Sequence, residues 1–128
     1  MSFSRPKKIF LVDDDTSITE KLKEFLTNDT GHTIMVFDSG EAALHAIHEM
    51  PDVVILAYYL GHHMKGAMNG LHAMEEMRKH HSNSHFIMLS GQDSYGVALE
   101  SLAKGAEQYI LKDEDAFANI AAFVDSIP

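Results

Sequence analysis

The sequence predicts an α/β fold: a doubly wound, five-stranded parallel sheet with five helices. Three observations carry that prediction. Five short apolar runs are spaced along the chain, at Lys8–Val12, Thr33–Phe37, Val53–Ala57, 86–89 and Gln108–Leu111. Between and after them, apolar residues recur at helical spacing. The central runs, IFLV and VVILA, are apolar without alternation, as strands covered on both faces must be.

Taken in order, KIFLV ends at Asp13-Asp14-Asp15 and gives way to a helix with Ile18, Leu22, Phe25 and Leu26 on one face, capped by Asp15 or Thr16. After TIMVF, Asp38 and Glu41 have capping-box spacing before Ala43, Leu44 and Ile47. VVILA leads through GHHMKGAMNG, residues 61–70, to Leu71, Met74 and Met77. FIML is followed by Asp93 or Ser94 as a cap, and then by Ala98, Leu99, Leu102 and Ala103 as the apolar face of a fourth helix. That helix stops at Gly105, where a left-handed cap is favoured. QYIL precedes Asp115 and a fifth helix with Phe117, Ile120, Ala121, Val124 and Ile127. Ala118, Ala122 and Phe123 make this last helix apolar over most of its circumference, more than covering a sheet requires.

A chain of 128 residues suffices for one domain, 1–128, with its own core. Hydrophobic residues at 45% and charged residues at 23% belong to the globular class. The longest apolar stretch, 53–60, is too short to span a bilayer, and no secretory signal precedes it, which points to a cytoplasmic location without membrane contact. With no cysteine there is no disulfide and no thiol chemistry. Nineteen Asp and Glu against ten Lys and Arg give a net charge of −9, a field that repels a phosphate backbone, so direct nucleic-acid binding is not expected. His62 and His63, with His45 and His48 one turn apart, lack a third well-spaced ligand for zinc and read as surface groups. Met64, Met68, Met74 and Met77 read as core and loop filler.

Ligands of such sheets bind beyond the carboxyl ends of the strands. There the sequence places Asp13, Asp14 and Asp15 after the first strand, Ala57 at the third, Ser90 and Gly91 at the fourth and Lys112 after the fifth. Like charges held together cost free energy unless a cation shares them, and Mg²⁺ accepts one or two carboxylates and a carbonyl while keeping several waters. Lys112 reads either as a snorkelling lysine or as a clamp on a phosphoryl oxygen, and Ser90 as a turn residue or a hydroxyl aimed at the same group.

With those motifs in place, the chain resembles the receiver domain of two-component response regulators over nearly its whole length. KKIFLVDDD resembles the first strand and acidic pocket, PDVVILAYYL the phosphoacceptor strand, IMLSG the switch-hydroxyl strand and GAEQYILK the lysine strand. The resemblance implies a flavodoxin-like strand order, 2-1-3-4-5. It implies that Asp13 and Asp14 hold Mg²⁺, with Asp14 the direct ligand and Tyr59 adding a backbone carbonyl. It also implies that Ser90 is the switch hydroxyl, Gly91 its small neighbour, Tyr109 the switch aromatic and Lys112 the active-site lysine. The implied partner is a histidine kinase or phosphotransfer protein of a phosphorelay, and the implied chemistry is self-phosphorylation and dephosphorylation, not turnover. A dimer or output face through Val97, Tyr109 and Phe123 is implied too.

In that alignment the phosphorylated aspartate falls on Ala57, whose methyl has no lone pair with which to attack phosphorus in line. The chain is then phosphorylation-incompetent, with one carboxylate fewer for Mg²⁺. Two origins are open: a natural pseudo-receiver acting as a phosphorylation-independent interaction module, or an aspartate-to-alanine replacement in an active receiver. Retention of Asp13, Asp14, Ser90 and Lys112 favours the second. The loop at 61–70 is longer than the family's and lacks its proline, and Asp113 stands where a proline usually follows the lysine, so no cis peptide is expected there. The chain reads as a stand-alone receiver or the front of a longer regulator.

A rival reading takes DDDTS as the DxDxT signature of haloacid-dehalogenase-type phosphatases, with Asp13 as nucleophile and Asp15 as acid/base. The immediate helix and the missing GDxxxD-like motif weigh against it. Flavodoxin itself is disfavoured because an acidic first loop is the wrong charge for a flavin phosphate.

Overall fold

In a computed structural model, which describes residues 5–28, 31–61, 65–81 and 83–128, strands and helices alternate from end to end. They are β1 Lys8–Val12, α1 Thr16–Thr27, β2 Thr33–Phe37, α2 Gly40–His45, β3 Val53–Ala57, α3 Gly70–His80, β4 His85–Ser90, α4 Tyr95–Ala103, β5 Gln108–Leu111 and α5 Ala116–Ser126. All strand pairs are parallel, in the order β2-β1-β3-β4-β5. The predicted sheet and its order are therefore the observed ones. Val12 lies opposite both Phe37 and Leu56, Ala57 opposite Leu89, and Ser90 opposite Leu111, so the carboxyl ends finish at one edge.

Because side chains alternate across a strand, each central strand feeds two cores. Phe10, Val54, Leu56 and Met88 meet Ala43 of α2 and Ala73, Met74 and Met77 of α3. Ile9, Leu11, Ile55 and Ile87 meet Leu22 and Leu26 of α1 and Ile120 and Val124 of α5 on the other face. Met74 and Met77 are fully buried, as their spacing predicts. Truncating such a side chain to alanine costs roughly 2–5 kcal/mol through lost transfer energy and the cavity left behind.

At the amino edge, the Arg5 guanidinium spans both Asp52 oxygens at 2.8 and 3.2 Å, and Asp52 also accepts from the Lys8 amide at 2.8 Å. The arginine and the amide hold the Asp52 carboxyl below its usual range against the opposing effect of burial. Lys7 is buried there as well, donating its ammonium to the Arg5 carbonyl, while its amide donates to His32 Nδ1 at 2.8 Å.

Several local expectations are corrected. The cap of α2 is Ser39, whose hydroxyl accepts from the Ala42 amide, not Asp38; Glu41 turns instead to the Met68 amide, 2.9 Å away. The apolar face through Ile47 does not form one helix: α2 ends at His45 and a 3₁₀ turn, Ile47–Glu49, closes on left-handed Met50. Ser94, not Asp93, caps α4, and Asp15 caps α1. Asp115 precedes α5 without a side-chain cap; Asp113 accepts from its amide. Phe25 lies at the surface, tilted against the Phe117 ring at 5.7 Å, and Met68 is half-buried. His62, His63 and Met64 lie outside the described residues.

The largest correction concerns α4. Leu99 and Leu102, taken as its core face, are 50% and 45% exposed, and Tyr95 is 79% exposed. The buried residue of the helix is Ser101, its hydroxyl satisfied by the Val97 carbonyl at 2.8 Å. The sheet thus meets a small polar side chain, and the apolar stripe of α4 looks outward. The predicted glycine stop is observed: the Gly105 amide bonds Leu102 and the Ala106 amide bonds Ser101, a Schellman pattern with Gly105 at φ 126°. The Arg78 guanidinium, which caps α4 through the Lys104 carbonyl at 2.7 Å, occupies the space a Cβ at Gly105 would need.

Candidate functional site

The three consecutive aspartates do three different things. The Asp13 amide continues the pairing with β2 through the Phe37 carbonyl at 3.0 Å, which fixes its backbone; its Oδ1 accepts from the Asp15 amide at 3.0 Å. Asp15 turns away to cap α1, accepting from Ser17 and Ile18 at 3.1 and 3.3 Å. Asp14, half-buried, lines the cleft between them. α1 begins at Thr16, so no flap-sized insertion separates DDD from the helix.

At the far side, the Lys112 amide donates to the Ser90 carbonyl at 2.8 Å, extending the β4–β5 ladder one residue beyond the strand. The lysine stem follows the sheet and its Nζ lies 2.9 Å from Asp13 Oδ2, a charge contact without the alignment of a hydrogen bond. The side chains are 24% and 5% exposed, so the cation is partly wet and its partner is not.

Ala57 ends β3 between these groups and is 1% exposed. The Tyr58 amide bonds the Leu89 carbonyl at 2.9 Å, and the Gly70 amide bonds the Tyr58 carbonyl at 2.9 Å, drawing the start of α3 onto the strand end. A Cβ at Gly70 would collide with the Ala57 carbonyl oxygen, so only glycine fits there. Burial pushes the half-buried Tyr58 hydroxyl up, with smaller contributions from Glu100, Tyr59 and Tyr109.

Ser90 is buried, and its Oγ accepts from the Gln92 amide at 3.1 Å. Gly91 is exposed, with open space where a Cβ would stand. Gln92, which no sequence motif singles out, takes two tyrosines: its side-chain oxygen accepts from Tyr59 at 2.8 Å and its carbonyl from Tyr109 at 2.7 Å.

These residues open on a cleft of about 1050 Å³ in which Asp13, Asp14, Asp15, Asp38 and Glu41 face Lys112. The donors are hard oxygens in excess over cations, which suits a magnesium-type ion and not a soft metal. Among the described residues, no group of three or more His, Asp or Glu side chains is arranged to hold a metal. The carboxylate supply is therefore thin, sufficient for an ion that keeps most of its water.

The family model described as "Response regulator receiver domain" matches residues 9–123, and the chain belongs to that family. It is 32% identical over 120 residues to the transcriptional regulatory protein CpxR of Klebsiella pneumoniae, covering 91% of this chain and 49% of that protein. It is 34% identical over 107 residues to a probable transcriptional regulator, ycf27, of Guillardia theta, covering 83% of this chain and 39% of that protein. The chain thus spans half or less of the length of these curated relatives. Among solved structures, the receiver domain of NtrX from Brucella abortus superposes with a TM-score of 0.79 at 26% identity, covering 94% of this chain and all of that one. No helix among the described residues is long and apolar enough to cross a membrane.

Proposed function

We propose that residue 57 is the phosphoacceptor position of this receiver domain, and that with alanine there the chain is held out of phosphorylation while the rest of the pocket stays assembled. The observation that carries this reading is the Asp13–Lys112 pair, 2.9 Å apart across the sheet edge at which the buried Ala57 methyl ends β3. A carboxylate at 57 would attack a phosphohistidine of a kinase or phosphotransfer protein in line, with Lys112 neutralising charge on the transferred group. Asp13, Asp14 and the Tyr59 carbonyl would hold Mg²⁺, which supplies charge neutralisation on the phosphoryl oxygens. Ser90 would take a phosphoryl oxygen, and its hydroxyl, now occupied by the Gln92 amide, would be exchanged in doing so. Gly91 beside it leaves the approach open. Residues 1–128 act as one unit in the cytoplasm, without turnover of a substrate.

A second reading, a phosphorylation-independent interaction module, is favoured by one observation. Tyr95, Leu99 and Leu102, at positions i, i+4 and i+7 of α4, form an exposed apolar stripe that the core does not use. Together with half-buried Val97, Tyr109 and Phe123 this face offers a site for an output partner or a second copy.

Intact-mass measurement after exposure to a small phosphodonor with Mg²⁺, on this chain and on Ala57→Asp, tests the proposal. One phosphoryl group is expected on the aspartate form and none on the alanine form. An adduct on the alanine form overturns it. Partner binding that is equal in the alanine form and the phosphorylated aspartate form supports the second reading.

A further inference from the structure

We propose that Gln92 is a positioning residue that couples Tyr59, at the rim of the cleft, to Tyr109 on β5, giving the cleft a route to the outer face that needs no phosphoryl group. The Tyr59 ring lines the cleft, and its hydroxyl donates to the Gln92 side-chain oxygen at 2.8 Å. The Tyr109 hydroxyl donates to the carbonyl of the same residue at 2.7 Å, and the Gln92 amide donates to Ser90 Oγ at 3.1 Å. One exposed residue on the loop between β4 and α4 therefore takes part in hydrogen bonds from β3, β4 and β5.

The two tyrosines grip different parts of Gln92, one the side chain and one the backbone. Tyr109 does not need the Gln92 side chain in order to bond its carbonyl. It needs that carbonyl held in one orientation, and Tyr59 and Ser90 hold it. An occupant of the cleft that turns the Tyr59 ring aside releases one of those holds, and the effect reaches Tyr109 without contact between the tyrosines' hydroxyls. Tyr109 is packed against the core cluster of α2 and α3 at one end and reaches the α4 side through its hydroxyl, so a change in its bond changes the face that α4 and β5 present.

The inference rests on the proposed function only in taking this cleft as the functional site. No variant in its test touches Ala57 and no phosphodonor is used, so its failure leaves the phosphoacceptor assignment to the mass measurement alone.

The test uses the full chain labelled with 3-fluorotyrosine, with the Tyr109 fluorine resonance assigned by Tyr109→Phe. Tyr59→Phe removes one hydroxyl, Gln92→Ala removes its acceptor, and Gln92→Glu keeps an acceptor oxygen. The Tyr109 resonance is expected to move in the same direction in Tyr59→Phe and Gln92→Ala and to stay near its starting position in Gln92→Glu. Exchange of the Gln92 amide is expected to quicken about 2- to 10-fold in the first two, the range set by the net worth of one hydrogen bond. Gln92 and Tyr59 are both exposed, and an unchanged thermal midpoint in each variant separates coupling from loss of fold. An unmoved Tyr109 resonance in Tyr59→Phe overturns the proposal, whatever Gln92→Ala does.

Discussion

Replacing Lys112 by methionine keeps the stem that follows the sheet and deletes the charge, which isolates the contact with Asp13. At 2.9 Å, Coulomb's law bounds the attraction between about 1.4 kcal/mol in bulk water and about 6 kcal/mol at the effective dielectric of a protein site. The lower part of that range applies, because the cleft is open and Lys112 is a quarter exposed, so solvent screens the pair and its formation has already cost desolvation. Asp13 is left in place by the change, however, almost fully buried beside Asp14 and Asp15 with no other cation on the cleft wall. The expected loss is therefore about 2 kcal/mol, the cost of stranding a charge added to that of losing a pair. Urea unfolding at pH 7 in low salt and without Mg²⁺ reads this as a midpoint lower by about 1 M, for a slope near 2 kcal/mol per molar. Millimolar Mg²⁺ is expected to return part of the loss, since a cation that binds the folded carboxylates stabilises by mass action. A midpoint within error of the starting chain, or above it, refutes the reasoning: the lysine is then a solvated group that happens to lie near Asp13.

Gly70→Ala is expected to destabilise the chain by about 2 kcal/mol or more, because the new methyl runs into the Ala57 carbonyl and the start of α3 must lift off β3; thermal unfolding checks it, and an unchanged midpoint counts against the close approach. His32 gives a pH dependence. Its Nδ1 accepts from the Lys7 amide, and burial together with the Lys7 charge pushes its pKa below 6.5, with Asp125 opposing. The unfolded chain therefore binds the proton first, so this contribution is complete above about pH 6.5 and is lost as the pH falls towards the lowered folded value, at no more than about 1.4 kcal/mol per pH unit. Unfolding midpoints from pH 7.5 to 5 are expected to fall less steeply in His32→Gln than in the starting chain; equal slopes remove His32 as the cause.

The strands were legible because a parallel sheet buried on both faces demands uninterrupted apolar runs, and IFLV and VVILA supply them where the chain has few competing signals. The site was legible for a related reason: Asp13, Ser90 and Lys112 stand at strand ends, and a parallel register brings strand ends together. What sequence reasoning missed is tertiary. Leu99 and Leu102 look like core because helical spacing reports that a stripe is apolar, not which way it faces; Ser101, the residue that meets the sheet, is concealed by its polarity. Asp38 and Glu41 have the spacing of a capping box, but Ser39 lies one residue nearer the helix and the Met68 amide competes for Glu41. Gln92 gives no pattern at all, since its partners lie 33 and 17 residues away.

The Glu41 contact with Met68 bears on how a partner would meet this surface. Where related chains stiffen the loop after the third strand with proline, this one fastens its later part to α2 through a carboxylate and a backbone amide 2.9 Å apart. Proline restricts the unfolded chain as well as the folded one, whereas a side-chain clasp acts only once the fold has formed. The ordering entropy of the clasped segment is thus charged to folding and not to association, and a docking protein would meet that part of the cleft wall already in its bound shape.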